Sequence, residues 1–264
     1  MANGCIELSN VTVRRSGRTI LNIEKLSVAA GQFVNLVGTN GAGKTTLLCV
    51  CCGLIKANTG IVKLGGVDLA SLGGWQKVAL RKHIGYVPQS AEYNAELPFT
   101  VREVVAMGRT SAKPLCSPIG REDYEIVDSW LESLGLADRR NQTFRSLSGG
   151  EQQKTLIARA MTQQPAVLML DEPGANLDFN WKHKIMTIVE DLHRQTLITV
   201  LMVSHDADLL PVDAGRTILL HDGQILADGG IRDVFESDAF EKAYGYKFKV
   251  LDFEGRKYVL SRGR

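Results

Sequence analysis

A mostly parallel β-sheet covered by helices, entered through antiparallel β structure and interrupted by a helical insertion, is the fold class the sequence predicts. Three observations predict it. Apolar runs of strand length alternate with helical periods on both sides of the middle of the chain. Ahead of the first such run, Ile6, Leu8, Val11 and Val13 mark one alternating segment, and Ile20 to Val28 mark another. From Ser90 to Gln164 strand patterning stops and helical spacing replaces it.

In order, Cys5 to Val13 reads as a strand, Arg14-Arg15-Ser16-Gly17-Arg18 as a turn, and Ile20 to Val28 as the second strand. Ala30-Gly31 turns the chain into Phe33-Val34-Asn35-Leu36-Val37, an apolar run typical of a buried strand. The run from Leu47 to Leu54 reads as a helix closed by Gly53. Ile61–Leu64 and Ile84–Val87 are short strands, with Trp75 to Lys82 helical between them. The insertion offers helices at Val101–Gly108, Arg121–Leu134 and about Gly150–Gln163. In the second of these, Ile126, Val127, Trp130, Leu131 and Leu134 keep helical spacing. Strands resume at Val167–Leu170 and Ile198–Val203, around a helix from Asn180 to Gln195. Asp222-Gly223 between Thr217–Leu220 and Gln224–Ala227 predicts a hairpin. The division is a catalytic core over 1–89 and 165–235, with its antiparallel part, and a helical subdomain over 90–164.

Bulk composition narrows the function. The chain has 264 residues, 44% hydrophobic and 23% charged, with a net charge of +2, so no nucleic-acid footprint is read. Leu197 to Val203, broken by Thr199, is far too short to span a bilayer. Met1-Ala2-Asn3-Gly4-Cys5 lacks the basic and apolar regions of a signal peptide. The expectation is a cytosolic protein, or one held at a membrane through a partner. The spacing of Cys5, Cys49, Cys51, Cys52 and Cys116 fits neither a zinc site nor a C-x-x-C pair, so the thiols read as reduced packing groups.

Three stretches carry chemistry. The first is Gly38-Thr39-Asn40-Gly41-Ala42-Gly43-Lys44-Thr45-Thr46, a G-x-x-x-x-G-K-T pattern between a strand and a helix. Its glycines let backbone N–H groups face phosphate oxygens, and the helix N-terminus adds positive potential. Lys44 can reach the β- and γ-phosphates, and the Thr45 hydroxyl can ligate Mg²⁺. The second is the strand Val167–Leu170 ending in Asp171-Glu172-Pro173. Two acids at a buried strand end need a cation. Asp171 is assigned to the Mg²⁺ shell and Glu172 to the attacking water as general base. The third is Leu147-Ser148-Gly149-Gly150-Glu151-Gln152. Ser148 and Glu151 have capping-box spacing, and the two glycines open a helix N-terminus to anions.

With these three stretches in this order, the chain resembles the ATP-binding cassette (ABC) ATPases. Gln89 after Tyr86-Val87-Pro88 is similar to the family's Q-loop, Gly174-Ala175-Asn176-Leu177-Asp178 to its D-loop, and Ser204-His205-Asp206 to its switch histidine. The resemblance covers nearly the whole chain and implies an α/β P-loop NTPase (RecA-like) core with ATP and Mg²⁺ as cofactors. It implies a head-to-tail dimer in which each ATP lies between Lys44 of one copy and Ser148, Gly149, Gly150 and Glu151 of the other. Gln89 would contact Mg²⁺ or the water, His205 the γ-phosphate and Glu172, and Asp178 would act across the interface. The other histidines (His83, His183, His193, His221) are read as surface or packing groups. Family members often stack adenine on an aromatic residue where this chain has Val13 to Gly17, leaving Arg15 to lie over the base. Gly174 and Lys154 replace the more usual Ser or Thr and Arg.

Several stretches are similar to importer ATPases for metals and metal chelates, namely siderophore, cobalamin, zinc and manganese systems. They are Ile84–Gln89, Leu97–Arg109, Phe240–Gly245 and the pair Val250–Asp252 and Lys257–Leu260. The last two imply a C-terminal helix and short strand pair over 236–264. The implied partners are a second copy, a separate transmembrane permease and, through it, a solute-binding protein, with the chain on the cytoplasmic side of the inner membrane. A groove along Gln89 to Arg109 would receive a short permease helix. Another importer ATPase, or the ATPase of a separate-subunit exporter, is the next reading. A non-transport ABC ATPase would usually bring a long coiled coil or tandem cassettes. A kinase or GTPase has no use for Ser148-Gly149-Gly150, and a non-hydrolysing module none for Glu172 and His205.

Overall fold

The centre of the fold is strand β3 (Phe33–Gly38), every residue of which is buried. Buried on both faces, it reads as an uninterrupted apolar run apart from Asn35. The computed structural model describes residues 6–89, 98–114, 117–204, 215–253 and 256–261. In it β3 pairs in parallel with β8 (Thr199–Val203) and with β9 (Arg216–His221). β7 (Val167–Asp171) and β6 (Ile84–Val87) extend the parallel sheet beyond β8, and β10 (Gln224–Gly229) closes the other edge antiparallel to β9. The order β10-β9-β3-β8-β7-β6 puts the carboxyl ends of β3 and β7 two strands apart, where α/β sheets bind ligands.

The antiparallel part is a second sheet of order β2-β1-β4-β5. It comprises β1 (Ile6–Arg15), β2 (Arg18–Val28), β4 (Thr59–Leu64) and β5 (Val67–Asp68). The turn between β1 and β2 is tighter than the sequence suggests. Only Ser16 (φ 48°) and Gly17 (φ 79°) lie outside the ladder, both left-handed as a two-residue hairpin turn requires. β2 therefore starts at Arg18, two residues before Ile20. Val13 pairs with Leu21 but Arg14 pairs with Thr19, which leaves Ile20 as a bulge.

The described helices are α1 (Lys44–Cys51), α2 (Gly74–Arg81), α3 (Val101–Ala112), α4 (Arg121–Ser133), α5 (Gly149–Met161), α6 (Phe179–Thr196), α7 (Ile231–Phe235) and α8 (Asp238–Tyr244). Helix α1 lies between the two sheets. Its Leu47, Leu48, Val50 and Cys51 share a core with Leu8, Val13, Leu21 and Val62 of one sheet and Val34, Leu36 and Leu201 of the other. Cys51 and Cys52 are buried and free, and burial pushes the Cys52 thiol up to about 12, so packing is their role here. The opposite face of the parallel sheet, through Phe33, Leu168, Leu170, Val200 and Met202, packs on α3, α4, α5 and α6. A third cluster joins Val37 and Leu219 to α7, α8 and the hairpin β11 (Phe248–Phe253) and β12 (Arg256–Ser261). Its centre is an aromatic stack in which Phe240 lies parallel to Tyr244 and edge-on to Phe248.

The elements read from the sequence are present, most with ends shifted by a residue or two; the helix read as Leu47–Leu54 instead runs Lys44–Cys51, starting inside the phosphate loop, and the one read as Val101–Gly108 continues to Ala112. The additions are β5 and α7, which are too short to carry a period. Among the described residues no helix is long and apolar enough to cross a membrane. Of the expected permease groove, Gln89 to Arg109, residues 90–97 lie outside the described residues.

Candidate nucleotide site

The loop from Gly38 to Thr46 folds as its composition demands. Gly38 must approach the sheet closely, since a Cβ there would fall on the Leu220 carbonyl oxygen. Gly43, at φ 97°, is the N-cap of α1, and a Cβ on it would meet Leu21 Cδ2 at 2.8 Å. The loop thus runs directly beneath β2, with α1 pointing its N-terminus into the cleft. Lys44 is only 6% exposed. Its ammonium donates to the carbonyls of Gly38 (2.8 Å) and Thr39 (3.1 Å). Burial pushes the Lys44 pKa down, while the Glu172 and Asp171 carboxylates oppose that shift.

The cleft holds about 540 Å³ and is lined by Ile20, Asn40, Gly41, Ala42, Gly43, Lys44, Thr45, Thr46, Gln89 and Glu172. That is within the usual range for a small-molecule site, roughly 300–1,000 Å³. Its walls are polar apart from Ile20 and Ala42. The β-bulge explains Ile20, because an unpaired residue is free of the ladder and can be aimed sideways. Arg15 does not line the cleft. It is exposed at the hairpin tip, paired across the turn with Arg18.

At the end of β7, Asp171 is 2% exposed. Burial pushes its carboxyl up and Glu172 adds to the rise, while the Thr45 hydroxyl, the Lys44 ammonium and the Tyr86 phenol pull it back. Asp171 Oδ1 is buried with no hydrogen-bond partner. A bare carboxylate oxygen beside a threonine hydroxyl is a donor set that suits a hard divalent cation such as Mg²⁺. The neighbouring Glu172 takes a left-handed backbone conformation, φ 49°, while its N–H donates to Val203 O at 3.2 Å. Non-glycine residues adopt that conformation at a cost, and such strain concentrates at functional sites. The Gln89 amide, just past β6, donates to Glu172 Oε2 at 3.1 Å.

Ser148 caps α5 as its spacing predicts. Its backbone N–H and hydroxyl donate to Glu151 Oε2 at 3.0 and 2.8 Å, and its hydroxyl accepts from the Glu151 N–H. Gly149 and Gly150 then occupy the first helical turn, where N–H groups have no intrahelical acceptor. None of Ser148, Gly149, Gly150 or Glu151 lines the cleft. Asp178 is likewise elsewhere, where it caps α6 by accepting from the Trp181 N–H at 2.9 Å. One chain therefore brings together the phosphate loop, Gln89, Asp171 and Glu172, and leaves the Ser148 turn apart. His205 lies outside the described residues; Ser204 before it donates its N–H to Leu36 O at the end of β8.

Sequence reasoning missed Ile20, Tyr86 and Trp181. The register shift that exposes Ile20 is a pairing property invisible along one strand. Tyr86 looked like strand filling, yet its phenol sits between Asp171 and Cys49, 4.0 Å from the Cys49 sulfur. A lone tryptophan three residues into a helix gives no signal of its own.

Comparison with known proteins agrees with this geometry. Residues 21–175 match the family of ABC transporters. A hemin import ATP-binding protein of Vibrio anguillarum is 34% identical over 250 residues, covering 93% of this chain and 92% of that protein. A chain of an inward-facing metal-chelate type ABC transporter superimposes with a TM-score of 0.83 over 99% of both chains, a likeness of fold at 22% identity. An ATP-binding cassette solved as a dimer, in a post-hydrolysis state with ADP and Pi, gives a TM-score of 0.74 at 28% identity, over 86% of this chain and 99% of that one. The chain belongs to the ABC transporter family, as an ATP-hydrolysing subunit that energises a transmembrane permease.

Proposed function

We propose that two copies of this chain close head to tail on two ATP molecules and drive the import of a metal ion or metal chelate. The observation that carries the paired arrangement is the separation within one chain. The phosphate loop, Gln89 and Glu172 line one cleft, and the Ser148-Gly149-Gly150 turn, whose free N–H groups suit phosphate, lies outside it. In this reading residues Gly38 to Thr46 cradle the phosphates of ATP, and Lys44 exchanges its loop carbonyls for phosphate oxygens. Thr45, Gln89 and Asp171 hold Mg²⁺, which when bound neutralises the β- and γ-phosphate charge. Glu172 accepts the proton of a water attacking the γ-phosphorus as the bond to the bridging oxygen breaks, leaving ADP and phosphate. Gln89, already bonded to Glu172, orients that carboxylate. His205 is assigned to the γ-phosphate, and the second copy's Ser148, Gly149, Gly150, Glu151 and Asp178 to the far side of the nucleotide.

The helical subdomain, residues 90–164, is the lever between this site and the permease. Trp75, 78% exposed, and Val78 on α2, and Phe99 before α3, are exposed apolar side chains that a permease could cover. The permease, with its solute-binding protein, would place the chain at the cytoplasmic face of the membrane. The cargo assignment rests on the likeness to the hemin import protein and on the similarities of Leu97–Arg109 and of the C-terminal helix and hairpin.

Glu172→Gln tests the chemistry. It keeps the shape of the side chain and its contact with Gln89, so ATP binding persists while turnover falls by about 10²-fold or more, the scale of a lost general base. ATP should also trap the variant as a dimer on size-exclusion chromatography. Turnover at the parent rate would remove Glu172 from the role.

A further inference from the structure

The indole of Trp181 is wedged against the Ser148-Gly149-Gly150 turn of its own chain. A Cβ built on Gly150 would fall among the Cδ2, Cε2 and Cε3 atoms of that ring, so the ring occupies the space a side chain would need. Next to it, a Cβ on Gly149 would lie 3.1 Å from Leu177 Cδ2. Two ammonium groups flank the same indole, Lys184 Nζ at 4.8 Å and Lys154 Nζ at 5.5 Å from the ring centroid. Lys154 belongs to α5 and donates to Leu134 O at 2.9 Å, while Lys184 belongs to α6. Burial and the charge of Lys184 push the Lys154 pKa down while Glu151 opposes the shift, and both ammonium groups lie within cation–π range of the one ring. Finally, the backbone N–H of Trp181 donates to Asp178 Oδ1 at 2.9 Å, which sets the indole in the first turn of α6, directly after the Leu177-Asp178 turn.

These contacts converge on one residue. Trp181 joins the two segments the proposed pairing would present to the other copy's nucleotide, the Ser148–Glu151 turn and the Leu177-Asp178 turn. We propose that Trp181 is a positioning residue for the composite site. It fixes the free N–H groups of Gly149 and Gly150 relative to Asp178, so that both turns meet the partner's ATP as one rigid face. This rests on the head-to-tail reading given above. No residue of α5 or α6 lines the cleft around Lys44, so the effect is confined to closure and leaves the first capture of ATP untouched.

The test uses the full chain in the Glu172→Gln background, with Trp181→Ala, Trp181→Leu and Trp181→Phe. Binding of a fluorescent ATP analogue to dilute monomer should be the same in all four proteins. The ATP-driven dimer, followed by analytical ultracentrifugation, should need about tenfold more protein with Ala or Leu, the scale of one well-formed cation–π and packing contact. Phe, which restores a flat ring between the two lysines, should return closure to within about threefold of the parent. With Glu172 restored, the Ala variant should lose kcat rather than raise KM. Closure of the Ala variant at the parent concentration overturns the proposal, and Leu decides the matter should Ala fail to fold. If Glu172→Gln with Trp181 intact never dimerises on ATP, the paired-site reading falls and takes this one with it. A parent that closes beside an Ala variant that closes equally well sinks the Trp181 role alone.

Discussion

Asp171 sits where a carboxylate is expensive. It is buried, one of its oxygens has no partner, and Glu172 follows it directly. Burial holds its pKa above the ordinary carboxylate value, so the folded chain binds that proton more readily than the unfolded chain does. The destabilisation is therefore present at neutral pH and is relieved as pH falls through the raised folded value toward the unfolded one. A cation at Oδ1 would relieve it at neutral pH as well. Asp171→Asn should consequently stabilise the metal-free protein at neutral pH, by on the order of 1 kcal/mol, while abolishing Mg²⁺-dependent turnover. Urea unfolding with a chelator present checks the first part, and a loss of stability in the variant would contradict it. Asp171, Glu172 and Lys44 were legible in the sequence because each stands at a strand end or loop that its neighbours define, whereas Gln89 was picked out only by the resemblance to the ABC ATPases. Ile20 and Trp181 were not, because a bulge and a ring–glycine contact are made between segments distant in the chain.

Helix α6 shows how one side chain serves two ends. Asp178 accepts from the Trp181 N–H and closes the first turn, and the same residue is assigned to the dimer interface. The two roles separate by substitution. Asparagine caps a helix about as well as aspartate, whereas alanine costs about 1 kcal/mol. Asp178→Asn should keep the parent unfolding free energy, and Asp178→Ala should lower it by that amount. If the interface needs the negative charge, both should lose turnover; if it needs only an ordered α6, only alanine should. Equilibrium unfolding beside steady-state ATPase rates gives the answer. Caps of this kind also explain why the starts of α3, α5 and α6 were readable to within a residue, whereas α1, which has no side-chain cap, was read three residues late. Thr100 with Glu103, Ser148 with Glu151, and Asp178 are local devices that write their positions into the sequence. Strand order carries no such local mark. The placement of β3 between β8 and β9 depends on residues more than 150 positions away, and nothing near Phe33 announces it.

At the scale of the molecule, the parallel sheet is a partition. The phosphate loop rides on α1, in the core shared with the antiparallel sheet, and the Ser148 turn rides on α5, in the core on the opposite face. Both cores are packed from buried aliphatic side chains, so a swing of α5 around the sheet edge to reach the cleft of its own chain would break one of them. A large apolar core opposes that, since burial contributes about 25 cal/mol per Å². A second chain can supply the missing turn without unpacking either core, and a two-fold arrangement does so twice at once. The isolated chain should therefore bind ATP with an affinity independent of its own concentration. Its turnover should not share that independence. While dimers are scarce, ATP hydrolysis per chain should rise about in proportion to protein concentration and then level off as the dimer saturates, as mass action requires. Initial rates over a hundredfold dilution series, with ATP in excess, measure this directly. A rate per chain that stays constant down to the most dilute sample would mean that one chain completes the site alone, and the partition argument would then be wrong.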